Sequence, residues 1–134
     1  MTLEEAKRIF SADRYATELT GVEIVDVGEH TSTCTMAADG RHRNARGAVM
    51  GGALFTLADF AAAVAANSDS REGGALHWVS LDATVHYLSP ALGDRLSARC
   101  SAVKHGRSTA LYHTDVECDG RTVATVETTM IRVD

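Results

Sequence analysis

Two periodicities divide the chain. Over residues 3–18 and again over 51–67, apolar side chains recur every three or four positions, whereas most of the remainder alternates apolar with polar. Leu3, Ala6, Ile9, Phe10 and Tyr15 fit one or two short amphipathic helices. Two β-rich runs follow between Val22 and Met36, VEIVDV and STCTM, with Gly28-Glu29-His30 as the hairpin turn. Residues 37–50 are polar and contain glycine, which predicts a loop. After the helix over 51–67, the polar loop SDSREGG leads into a long strand. In ALHWVSLDATVHYL, Val79, Leu81, Ala83, Val85 and Tyr87 are expected on one face, and Ser80, Asp82, Thr84 and His86 on the other. A turn at 89–94 surrounds the only proline, and strands are predicted over 95–104, 108–118 and 121–133, the last two joined by the hairpin turn CDGR. One long helix beside five or six antiparallel strands predicts an α+β domain with the helix laid across one sheet.

The helix carries unusual side chains. Leu54, Leu57, Ala58, Ala61 and Ala65 make one apolar stripe, and Ala62, Ala63 and Ala66 extend the small surface almost all round. Such a helix is expected to be enclosed by a curved sheet. One carboxylate, Asp59, sits in its middle, just after the glycine pair Gly51-Gly52.

Composition narrows the picture only slightly. The 134 residues make one domain, residues 1–134, large enough for its own core. A net charge of -5 with no basic run gives no sign of a nucleic-acid partner, and no apolar run is long enough for a membrane span. The first residues lack the pattern of a signal peptide. Cys34, Cys100 and Cys118 are an odd set without metal-like spacing, so buried free thiols and a cytoplasmic location are expected. The six histidines show no H-E-x-x-H or close ligand pairing, which predicts no metal, and His86 and His113 read as hydrogen-bonded strand histidines.

Several residues together resemble a known family. Asn44, Gly47, Gly51, Gly52 and Asp59, with VSLDATVHYLSPA (79–91) and KHGRS (104–108) downstream, are similar to the hotdog-fold acyl-CoA thioesterases of the phenylacetate-pathway (PaaI-like) type. The resemblance runs from about residue 19 to the end of the chain. It implies a sheet wrapped around the central helix, a homodimer often paired into a homotetramer, an acyl-CoA substrate and no separate cofactor. It also implies that Tyr87, Leu88, Ser89, Pro90, Lys104, His105, Gly106 and Arg107 help hold coenzyme A, and it raises Ser80 above an ordinary strand hydroxyl. The family has a histidine before the glycine pair, where it supports neighbouring polar groups; here the position is Met50.

Thioester hydrolysis needs a donor for the carbonyl oxygen and a group that supplies or activates the attacking oxygen. The first N–H groups of a helix lack intrahelical partners and lie at its positive end. The Gly51 N–H is the expected oxyanion donor, with Gly52 leaving the approach open; the alternative is that both glycines serve helix–sheet packing. Asp59 could be a general base or a nucleophile, or a carboxylate satisfied by a neighbour. Asn44 could hydrogen-bond the carbonyl, position water, or satisfy a turn. Lys104 and Arg107 could bind phosphate or form a solvated turn. Gly51 and Asp59 are eight residues apart, about 12 Å along one helix, so one reacting carbon cannot sit close to both. Serving one thioester, they must come from different chains of a two-fold dimer. Two other readings stay open: a non-catalytic acyl-CoA-binding module, and a hydroxyacyl-thioester dehydratase, against which Met50 argues.

Overall fold

The computed structural model describes residues 1–71 and 73–134; Glu72, inside the predicted loop SDSREGG, lies outside them. Helix α1, Leu3–Phe10, starts at a capping box in which the Thr2 hydroxyl accepts from Glu5 N–H and the Glu5 carboxylate accepts from Thr2 N–H. It buries Ala6 and Phe10, and the Phe10 ring meets Phe60 of the central helix edge-on at 5.8 Å. One π-helical turn follows, Tyr15–Thr20, closed by Gly21 at φ 84°.

Strands β1 (Val22–Gly28), β2 (Thr31–Ala37), β3 (Trp78–Tyr87), β4 (Arg95–His105), β5 (Thr109–Cys118) and β6 (Arg121–Arg132) form one antiparallel sheet. Their order is β1-β2-β4-β5-β6-β3, so β3 is an edge strand. The sheet wraps around α2, Gly51–Ala66, which touches all six strands. Alanines at 58, 61, 62, 65 and 66 are wholly buried, and their small size lets the curved sheet approach from several sides. The Ser32 hydroxyl on β2 donates to the Ala61 carbonyl at 2.6 Å, a satisfied polar contact inside this layer. Asn67 ends the helix. Its buried amide accepts from His77 and Trp78 N–H and donates to Ala63 and Trp78 carbonyls, which ties the helix end to the start of β3.

Strand boundaries and the 119–120 hairpin follow the sequence pattern, with Asp119 and Gly120 both at positive φ, as a tight hairpin requires. The three cysteines are buried and free; burial pushes the Cys34 thiol up to about 12 and Cys100 up to about 11. No described helix is long and apolar enough to cross a membrane.

The faces of β3 need a correction. Register against β6 shifts between Ser80 and Asp82, leaving Leu81 as a β-bulge. Ser80 lies opposite buried Met130, Ala83 opposite Thr128 and Val85 opposite Val126, so all three share the helix side of the sheet. Strict alternation separates Ser80 from Ala83 and Val85; the extra residue of the bulge reunites them. Only part of the predicted apolar face is covered, with Val85 packed against the core. Val79 is 44% exposed, Leu81 59% and Tyr87 55%, along an edge that has no strand beyond it.

On the outer side of the sheet, His113 sits between two carboxylates. Nδ1 meets Glu127, and Nε2 lies 2.8 Å from Asp115. The Glu127 bond, then Asp115, raises its proton affinity against the opposing effect of burial. A histidine whose folded value is raised adds stability that is fully present below its ordinary value and disappears as pH rises through the folded value. Wild type should therefore melt above His113→Gln at pH 5.5, with the gap closing toward pH 8.5 in thermal scans.

Candidate active site

Helix α2 begins without a side-chain cap. Met50 holds the N-cap position with extended backbone, and its side chain is 55% exposed. The carbonyl of Met50 accepts from Ala53 and Leu54 N–H, whereas Gly51 N–H and Gly52 N–H find no acceptor among the described residues. Two unpaired donors thus stand at the positive end of a 16-residue helix.

The two glycines do different work. A Cβ on Gly51 would come within 3.0 Å of the Tyr87 ring, whose hydroxyl donates to the Gly51 carbonyl at 3.1 Å. Glycine at 51 thus leaves room for the end of the Tyr87 side chain against the start of the helix. A Cβ on Gly52 would meet nothing within 4 Å, so that side of the helix end is open to a ligand.

A cleft of about 430 Å³ lies over this helix end, lined by Asn44, Val49, Gly51, Tyr87, Leu88 and Pro90 among others. Asn44 shapes its rim. The Oδ1 atom accepts from Arg46 N–H at 2.9 Å and Ala48 N–H at 3.2 Å, and Gly47 completes the turn at φ 87°. That fixes the amide with only its Nδ2 available to a ligand. Ser89 also lines the cleft, its hydroxyl buried without a partner among the described residues.

A residue within the polar stretch 37–50 supports this arrangement. His42 is buried: Nδ1 accepts from Asp39 N–H at 3.0 Å, Nε2 donates to the Thr20 carbonyl at 2.7 Å, and its own carbonyl accepts from Met50 N–H. It braces the loop directly before α2. Its partners come from distant segments, so no local pattern marks it.

Asp59 lies in a different cleft, also about 430 Å³, with Asp13, Arg14, Tyr15, Phe55 and Phe60 in its walls. The two clefts have no lining residue in common. Burial raises the Asp59 carboxyl above the usual carboxylate range; the Ser80 hydroxyl on β3 acts in the opposite direction, and the charge of Asp13 adds to the rise. Ser80 stands just before the bulge at Leu81, on the helix side of the sheet, and its hydroxyl donates to the Met130 sulfur at 3.5 Å. Within one chain, then, the candidate oxyanion donors and the candidate base face separate spaces.

The predicted coenzyme-binding residues also divide into two groups. Tyr87, Leu88, Ser89 and Pro90 surround the Gly51 cleft. Lys104 and His105 end β4, and Gly106 and Arg107 follow in the turn to β5; His105 packs at 4.5 Å against Trp78, the first residue of β3. Tyr87 is the last residue of that ten-residue strand, so the groups stand roughly 30 Å apart. One chain does not bring them together. Gly106 is needed where it stands, because a Cβ there would meet the Thr109 carbonyl at 2.6 Å.

The fold also juxtaposes residues that the spacing of histidines gave no reason to pair. His105 stacks on His30 at 3.8 Å with its ring 13° from parallel, and donor atoms of these two and Asp69 lie within 4.8 Å of one another. Near-parallel rings do not aim two nitrogen lone pairs at one ion, so the stack reads as packing. Burial, then His30, hold His105 below its ordinary value, and its Nδ1 pairs with the Tyr112 hydroxyl at 2.7 Å.

Comparison with known proteins decides the family. Residues 46–130 match the model of the thioesterase superfamily. The chain belongs to that superfamily. It is 30% identical over 114 residues to the acyl-coenzyme A thioesterase PaaI of Escherichia coli, covering 84% of this chain and 77% of the relative. The structure of the E. coli PaaI protein from the phenylacetic acid degradation operon superposes with a TM-score of 0.87 at 24% identity, over 100% of this chain and 97% of that one. A hypothetical thioesterase protein from Streptococcus pneumoniae, whose crystal structure is with coenzyme A, gives 0.80 at 23% identity over 92% and 96%. The fold is thus a hotdog, and the chain is a PaaI-like thioester hydrolase.

Proposed function

We propose that this protein hydrolyses acyl-CoA thioesters at sites shared between two chains of a homodimer. The observation that carries this reading is the separation of Gly51 and Asp59 into clefts with no common wall residue, although both belong to one helix. Each cleft holds half of what the reaction needs. The exposed, unpaired edge of β3 supports a second chain pairing there across a two-fold axis. Antiparallel pairing of β3 with its copy would bring the Tyr87 end of one chain beside the Trp78 end of the other. Lys104 and Arg107 of the second chain would then flank the Gly51 cleft of the first and supply positive charge for the coenzyme phosphates. The resemblance to the PaaI-like thioesterases further favours two such dimers in a tetramer.

In this reading the thioester carbonyl oxygen accepts from Gly51 N–H, with the helix dipole and the Asn44 amide stabilising the charge that develops. Asp59 of the other chain takes a proton from water as the water oxygen attacks the carbonyl carbon. Collapse of the tetrahedral intermediate breaks the carbon–sulfur bond, and the proton held by Asp59 passes to the departing thiolate, leaving a free acid and CoA. The alternative route has the Asp59 carboxylate attack first and water hydrolyse the resulting anhydride; both routes keep the same residues. Met50 does not enter either. The loop backbone, not residue 50, orients Asn44.

A panel of acyl-CoAs differing in chain length and aromaticity tests the reading, with free thiol followed in time. Steady release with at least one ester is expected. Tight acyl-CoA binding without release across the panel would establish the non-catalytic module instead.

A further inference from the structure

The Asp59 cleft holds a second carboxylate with no part in the steps above. Asp13 follows α1, outside the matched region 46–130, and lines the same cleft as Asp59. Its backbone carbonyl is committed, accepting from both the N–H and the hydroxyl of Thr17 at 3.0 Å. Its carboxylate finds no hydrogen-bond partner among the described residues. The cation in the cleft wall, Arg14, is already paired: Nε donates to one Glu18 oxygen at 3.0 Å and Nη2 lies 3.0 Å from the other. Tyr15, Ala16, Phe55, Phe60 and Ala63 make the rest of the wall largely apolar.

The direction of the substrate decides what enters this space. With the thioester carbonyl on Gly51 of one chain and the coenzyme along the Tyr87–Pro90 wall, the acyl chain continues past Asp59 of the other. It meets apolar walls, two carboxylates and a cation already paired with Glu18. Resting on the acyl-CoA thioesterase reading, we propose that Asp13 is a specificity-determining residue. It makes the Asp59 cleft accept neutral acyl chains and reject chains that end in a free carboxylate. Asp13 is exposed in the single chain and Asp59 half-buried. Partial burial raises the proton affinity of both, and a second chain over the cleft would strengthen the repulsion between like charges there.

Hexanoyl-CoA and adipoyl-CoA test this, because their acyl chains have equal length and differ at the end by one carboxylate. Wild type should favour hexanoyl-CoA in kcat/KM by about tenfold or more, the scale of one partly solvated charge contact. Asp13→Asn should raise the adipoyl-to-hexanoyl ratio by about tenfold, a readout that overall loss of activity does not move. Glu18→Gln, which frees Arg14, should raise the same ratio. Asp13→Asn should also move the acid limb of hexanoyl turnover to lower pH, since the groups around Asp59 would then be Ser80, Tyr15 and the Arg14–Glu18 pair. A wild-type preference for adipoyl-CoA, or a ratio that Asp13→Asn leaves unmoved while hexanoyl-CoA turns over briskly, would overturn the role of Asp13 alone. No thiol release from either ester would overturn the thioesterase reading and this inference with it.

Discussion

Asp59→Asn is expected to lower kcat by about 10²- to 10⁴-fold, the range a positioned general base supplies. The same substitution should leave the melting temperature unchanged or higher. Burial disfavours the charged form of this carboxyl, so an amide of the same shape removes a desolvation penalty. Loss of rate without loss of stability is the signature of a group kept for chemistry. The pH profile supplies a second check. A base works only when deprotonated, and a raised proton affinity makes kcat/KM fall as pH drops through a value above the usual carboxylate range. That acid limb should vanish in the residual activity of Asp59→Asn. A variant that keeps most of its rate, or keeps the limb, would assign the base elsewhere.

Much of this site was legible in the sequence, for reasons that differ residue by residue. Helix α2 could be read because its small apolar surface has a helical period and an abrupt glycine start. The conflict between Gly51 and Asp59 followed from the rise of a helix alone. Asn44 in a turn with Gly47 was legible as an alternative, and its Oδ1 bonds to Arg46 and Ala48 show that shaping the loop and lining the cleft are compatible roles. What could not be read depends on contacts between distant segments. A bulge adds one residue without disturbing local composition, so nothing in VSLDATVHYL announces that Ser80 turns toward the helix. His42 is recognisable only through Thr20 and Asp39, and the need for glycine at 51 only through Tyr87, 36 residues later. Asp13 is silent for the same reason: only the fold sets it in the cleft of Asp59.

Two inactive variants should restore one another if the site is shared. In Gly51→Val the added carbons meet the Tyr87 ring, which a single Cβ already approaches to 3.0 Å, and fill the helix end where the carbonyl must dock. Blocking access to the Gly51 N–H should cost as much as losing an oxyanion donor, about 10²- to 10³-fold. Asp59→Asn fails for want of a base. When the two are co-expressed and the dimers assort at random, about half contain one chain of each kind. In such a dimer, one site carries both substitutions and is dead. The other combines the intact Gly51 of the Asp59→Asn chain with the intact Asp59 of the Gly51→Val chain. The mixture should therefore recover about a quarter of wild-type activity per site, far above either variant alone. A mixture as inactive as its components would place the whole site within one chain. Such a result would require Asp59 to serve the thioester from about 12 Å away, which helix geometry does not allow, so the base would have to be a different group.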